Sequence, residues 1–183
     1  MKLLQILSAI VVLAILGAVQ PAYAGETAQV PFGDKMGAEV ANYNRLRPYL
    51  ATGGSIDLSA VDSLKQKGFR TIIDLRTPEE GTEEERAAVE AAGMTYVNLP
   101  IAKGAPSDAQ ITRLAELLED ESAAPLLLHC ASGNRVGTVW AIYRARKGIP
   151  LEIAIEEGRT AGMGSSREAQ VRATLCSREA DYC

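Results

Sequence analysis

The chain contains a single histidine, His129, and three cysteines, Cys130, Cys176 and Cys183, none in a C-x2-C pair. That poverty of soft ligands argues against a zinc-type metal site. Aromatic residues make up 5% of the chain, too few for a platform on which single-stranded bases would stack. Positive charge is scarce as well. The formal net charge is −4, no long Lys/Arg run exists, and this acidity argues against nucleic acid or an anionic membrane surface as a partner. Beyond the first 24 residues there is no apolar run of membrane-spanning length, no internal repeat and no low-complexity linker.

The first 24 residues are themselves informative. Lys2 precedes an apolar core from Leu3 to Val19, and Ala22-Tyr23-Ala24 has the small-x-small form of a cleavage site. This reads as a secretory signal peptide over 1–24, which places the mature chain in the periplasm or outside the cell, with no membrane contact after cleavage. A polar lead-in over 25–37 follows, and one domain over 38–183 is long enough to bury a sizeable core. In an exported chain Cys176 and Cys183 could pair as a disulfide pinning the C-terminus, leaving Cys130 free.

The most informative stretch is Pro125–Arg146. Leu126-Leu127-Leu128 reads as a strand buried on both faces. It ends at His129-Cys130. Ala131-Ser132-Gly133-Asn134 then leads into a helix opened by Arg135, with Val136, Val139, Trp140 and Tyr143 on its apolar face. A strand, a small-residue loop and a helix N-terminus together build an anion site, because backbone N–H groups and the helix dipole converge there. A cysteine at the strand end of such a loop is expected to be held as its thiolate. The Arg135 guanidinium can grip a tetrahedral oxyanion at two points.

Around this centre, helical spacing is expected over 37–49 (Val40, Tyr43, Leu46), and a glycine-bearing strand over 50–56 where another backbone approaches closely. Strands are expected at 69–75 and 94–99. Helices are expected after Ser59, after Thr82-x-x-Glu85, after Ser107-x-x-Gln110, over 151–161 and after Ser165-x-x-Glu168. Alternating strands and long helices imply an α/β fold with a central, mostly parallel sheet flanked by helices. In such sheets ligands bind at the C-terminal ends of strands, where Cys130 lies. Asp74 and Arg76, with Glu79 or Glu80, read as a structural ion-pair cluster at a strand end, and Trp140 and Tyr143 as core.

The segments HCASGNRVG (129–137), GFRTIIDLRTPEE (68–80) and YVNLPIAKG (96–104) resemble the dual-specificity-like protein tyrosine phosphatase superfamily, in particular its bacterial beta-lactamase-hydrolase-like branch. The resemblance spans 38–162 and implies a phosphatase-like fold and a phosphorylated or other oxyanion substrate. Cys130 would then be the nucleophile that takes the phosphoryl group and Arg135 the holder of its oxygens. Ala131, Ser132, Gly133, Asn134 and Val136 would supply the backbone cradle, with His129 behind the cysteine as a supporting hydrogen-bond partner. No metal or organic cofactor is implied.

The chain departs from that pattern in three places. Four residues separate Cys130 from Arg135 where the superfamily has five. Val136 stands where Ser or Thr is usual, with Ser132 or Thr138 as stand-ins. Lys103 stands where a general-acid Asp is common, and Asp108 is the candidate substitute, although an acid there also suits a helix N-terminus. A Cys-x4-Arg loop is also used by rhodanese-type sulfurtransferases to carry a persulfide, and Ile73–Glu79 resembles their Asp-Val-Arg-x-Pro-Glu segment. A non-catalytic module binding phosphate or a phosphorylated partner is the third reading.

Overall fold

Leu126, Leu127 and Leu128 are at most 3% exposed and form the middle of the molecule. The computed structural model describes Met36, residues 38–102 and residues 104–178. The leader read at 1–24, nearly all of the 25–37 lead-in, Lys103 and Cys183 lie outside the described residues.

Five short strands form one sheet: β1 (Asn44–Arg47), β2 (Leu50–Gly53), β3 (Thr71–Asp74), β4 (Thr95–Asn98) and β5 (Leu126–His129). Their order is β1-β2-β5-β3-β4, parallel throughout except for the antiparallel edge strand β1. Alternation along each strand divides the core. Ala51, Ile72 and Leu127 sit side by side in register and face α1 (Val61–Gln66) and α2 (Glu83–Ala91). Leu126, Leu128 and Ile73 face the other way, toward α3 (Asp108–Glu119), α4 (Asn134–Arg146), α5 (Leu151–Thr160) and α6 (Ser165–Arg178). Nine of the thirteen α4 residues are buried, Trp140 and Tyr143 among them, so α4 is the central helix of that layer. Among the described residues no helix is long and apolar enough to cross a membrane.

Three local expectations are corrected. The helical spacing over 37–49 belongs to turns, an isolated bridge from Val40 to Ile56, and the edge strand β1. A spacing of three fits a turn followed by a four-residue strand as well as a helix, so the period could not decide. The strand expected over 50–56 ends at Gly53. The Thr82-x-x-Glu85 box does not form either: Thr82 makes no capping hydrogen bond, and the reciprocal box lies five residues earlier, between Thr77 and Glu80. The Ser107–Gln110 box is present, with Ser107 Oγ accepting from the Gln110 amide at 3.2 Å and Gln110 Oε1 from the Ser107 amide at 2.7 Å.

Candidate active site

Strand register brings Gly53, His129, Asp74 and Asn98 into one row at the C-terminal edge of the sheet. The chain leaves that row at Cys130 and turns into α4 through Gly133, whose φ of +89° suits a residue without a Cβ. The Ala131 carbonyl accepts from the Ser55 amide at 3.1 Å, and the Ser132 carbonyl from Asn42 Nδ2 at 3.1 Å. In a trans peptide the N–H points opposite to the C=O, so the Ser132 and Gly133 amides face the other way. The Gly133 N–H accordingly donates to Cys130 Sγ at 3.2 Å. This close passage depends on Gly54: a Cβ there would lie 3.0 Å from Ser132 Cα. The second backbone expected beside the glycine-bearing strand is therefore the loop that carries Cys130.

Cys130 is a free thiol and 1% exposed. Cys176 is disulfide-bonded, and the other cysteine expected in that bridge, Cys183, lies outside the described residues. Arg135 turns back across the loop. Its Nη1 and Nη2 donate to the two oxygens of Glu80, each at 2.6 Å, and Nη1 also reaches the carbonyls of Ile101 at 3.2 Å and Leu75 at 3.4 Å. A guanidinium has five N–H groups, and these contacts engage those of Nη1 and one of Nη2. Hydrogen bonding to Arg135 holds the Glu80 carboxyl down to about 2, against the opposing effect of burial. The Glu80 hydrogen bond raises Arg135 in turn, with burial opposing it and the neighbouring Cys130 adding to it. Cys130 and Arg135 thus share one electrostatic environment.

A half-open cleft of about 370 Å³ lies over the loop, lined by Thr77, Glu80, Ala102, Ser132, Asn134, Arg135 and Arg167. Of the other loop residues, Ala131 is exposed and the Val136 side chain is fully buried in the core, which leaves only its backbone to serve a cradle. Asn134 Oδ1 accepts from the Gly164 amide at 2.9 Å, tying the loop to the start of α6. Thr138 is buried and donates to the Asn134 carbonyl at 2.9 Å, so of the two stand-ins Ser132 is the one at the cleft.

Behind the loop lies a second polar group. His129 is fully buried and does not hydrogen-bond the cysteine: its Nδ1 faces the Gly54 carbonyl at 3.2 Å. Its Nε2 lies 2.8 Å from Glu85 Oε1 and 3.6 Å from Asp74 Oδ1. The 2.8 Å approach is off the line a hydrogen bond needs, so the contact is one of proximity. Arg76 spans both carboxylates, at 2.8 Å from Asp74 and 2.7 Å from Glu85, and the Tyr96 hydroxyl donates to Asp74 at 2.7 Å. Burial pushes the Asp74 carboxyl up, but its Arg76 and Tyr96 hydrogen bonds and the nearby His129 together hold it below the ordinary value. Burial and the Asp74 contact both push the Tyr96 phenol up. Asp74, Glu85 and His129 could offer three ligand atoms within 4.8 Å of one another. The arrangement suits a metal ion poorly, because the Arg76 guanidinium already occupies both carboxylates and like charges would be buried together.

Two sequence readings change here. Asp108 is not at the cleft: it is ion-paired with Arg146 at the far end of α4, eleven residues from Arg135. An acid at the start of α3 therefore complements a neighbouring helix end. The ion-pair cluster of Asp74 and Arg76 takes Glu85, while Glu80 serves Arg135. Sequence reasoning also missed Arg167, whose only signal was its place in the first turn of α6.

Comparison with known proteins follows the same lines. Residues 28–174 match the family model described as "DSP-PTPase phosphatase fused to NAD+ Kinase". Over 88 residues the chain is 36% identical to "Probable NAD kinase 2, chloroplastic" of Oryza sativa subsp. japonica, covering 44% of this chain and 9% of that protein. It is 29% identical to the beta-lactamase hydrolase-like protein of Agrobacterium fabrum, covering 64% of this chain and 28% of that one. The chain thus spans less than a third of the length of these two relatives. Identity to the dual specificity protein phosphatase TpbA of Pseudomonas aeruginosa is 28%, over 82% of this chain and 71% of that protein. The crystal structure of P. aeruginosa TpbA superposes with a TM-score of 0.61 at 23% identity, covering 81% and 95% of the two chains. TpbA in complex with phosphotyrosine gives 0.58 at 22% identity, covering 76% and 90%. With a sheet, a Cys-loop-Arg turn and a family model all in agreement, the chain belongs to the DSP-PTPase phosphatase family.

Proposed function

We propose that the protein is an exported, cysteine-dependent phosphatase that cleaves a phosphate ester through a cysteinyl-phosphate intermediate. The observation that carries this reading is the shared environment of Cys130 and Arg135 at a strand–loop–helix turn. The export reading rests on residues 1–24. Among relatives, a solved complex of TpbA with phosphotyrosine supports an aryl phosphate as the substrate type.

In the proposed reaction an ester phosphate enters between Ser132 and Arg135 and seats its oxygens on the loop amides and the free edge of the guanidinium. The Cys130 sulfur attacks phosphorus in line. An S–P bond forms, the P–O bond to the leaving group breaks, and that oxygen departs with the electron pair. Water then attacks the phosphorus, the S–P bond breaks, and phosphate and the free sulfur are regenerated. Glu80 is held ionised and so serves to aim Arg135 rather than to give a proton. With Asp108 at the other end of α4, the described residues at the cleft include no general acid, and in the proposed reaction solvent protonates the leaving oxygen. This favours leaving groups that depart easily, phenolates over alkoxides.

The test is phosphate release from phenyl phosphate. Steady release that Cys130→Ser abolishes is expected; release that survives this substitution would refute the mechanism. The burial of Cys130 favours a second reading, a phosphate-binding module. That reading requires tight phosphate binding with no turnover by the unaltered protein. The sulfur-carrier alternative rests on loop length, against relatives named as phosphatases.

A further inference from the structure

Two arginines line the cleft, and they differ in their partners: Arg135 is ion-paired with Glu80, whereas Arg167 has no carboxylate partner among the described residues. Arg167 lines the cleft beside Arg135, and its Nη1 donates to two neutral oxygens, the Gly104 carbonyl and Gln170 Oε1, each at 3.2 Å. Among the described residues no carboxylate neutralises it. Glu80 cancels the charge of Arg135 in the same cleft, so among the described lining residues the net positive charge is that of Arg167. A half-buried guanidinium whose partners are neutral acceptors gains most when an anion arrives, because charge-assisted hydrogen bonds are about twice as strong as neutral ones.

We propose that Arg167 forms a second anion subsite, so that the preferred substrate is a small phosphate ester carrying another anionic group, a carboxylate or a second phosphate, on the same molecule. This rests on the phosphatase reading and narrows it. A cleft of about 370 Å³ is at the lower end of small-molecule sites and holds a substituted ring or a short bisphosphate. Arg167 reaches across from α6 to the segment before α3 through the Gly104 carbonyl. An anion bound there would join the two elements that flank the Cys130 loop. Arg135 keeps the scissile phosphate; Arg167 takes the other charge and thereby selects the substrate.

The experiment uses Cys130→Ser, which leaves esters intact, and measures by calorimetry the affinity for phenyl phosphate and for 3- and 4-carboxyphenyl phosphate. One of the carboxylated esters is expected to bind about tenfold more tightly than phenyl phosphate, the effect of one added charge-assisted hydrogen bond. Arg167→Gln is expected to remove that preference, and Arg167→Lys, which keeps the charge, to retain part of it. Equal affinity for all three esters, or a preference that survives Arg167→Gln, overturns the second subsite alone. Binding of none of them overturns the phosphate site and this inference together.

Discussion

Arg76 and Arg135 both close a guanidinium over carboxylates, one on each side of the turn from β5 into α4, and burial separates what the two pairs do. The partners of Arg76, Asp74 and Glu85, are 0% and 2% exposed, whereas Glu80, the partner of Arg135, is about one-third exposed at 34%. Removing one member of the buried group leaves charges that water cannot reach. Removing one member of the outer pair exposes the survivor to solvent at little cost. The inner group is therefore scaffold, fixing the strand row from which His129 and Cys130 project. The outer pair is equipment, fixing the direction of a side chain that must meet a ligand.

The comparison can be broken most sharply at Arg76. Arg76→Met strands Asp74 and Glu85 in the interior and is expected to lower stability by ~3–5 kcal/mol, read by urea unfolding. A loss below ~1 kcal/mol would mean that water reaches the group after all. Next in size is Arg135→Lys, which keeps the charge but not the two-point grip. A fall of ~10²–10³-fold in kcat/KM on phenyl phosphate, with unfolding little changed, is the expected outcome.

Glu80→Gln sharpens the same contrast from the carboxylate side. A loss of about tenfold in kcat/KM is expected as Arg135 loses its aim. Its stability effect is pH-dependent with a definite sign. The Glu80 carboxyl is lowered from 4.5 to about 2 in the fold, so its contribution is complete above pH 4.5 and is lost as the pH falls toward 2. Because Glu80 is a third exposed, that contribution is at most ~1 kcal/mol. Urea midpoints of the variant and the unaltered protein should differ at pH 7 and converge only near pH 2. The smallest effect is expected for Asp108→Ala: activity within about twofold, since its partner Arg146 lies at the opposite end of α4. A large loss of activity would restore Asp108 as a proton donor.

The centre of the fold was legible because its signals are local. Three leucines, a small-residue loop and a helix stripe occupy one continuous stretch, and they became β5, the Cys130 turn and α4. The outer pair was not legible, since Glu80 and Arg135 are 55 positions apart and meet only once the sheet is assembled. Glu85 was hidden differently. It sits in a run of three glutamates at the start of α2, where acids complement the helix dipole, and nothing in the run marks the one that turns inward to His129. The helical spacing over 37–49 failed because four-residue elements are too short for a period to declare itself.

The central claim is that Cys130 takes the phosphoryl group, and the most direct measurement traps it there. Protein mixed with a labelled aryl phosphate, quenched in acid within milliseconds and digested, should yield label and one phosphoryl mass on the peptide containing Cys130, both absent from Cys130→Ser. Label on any other residue, or phosphate release without label on Cys130 at any quench time, would contradict the account.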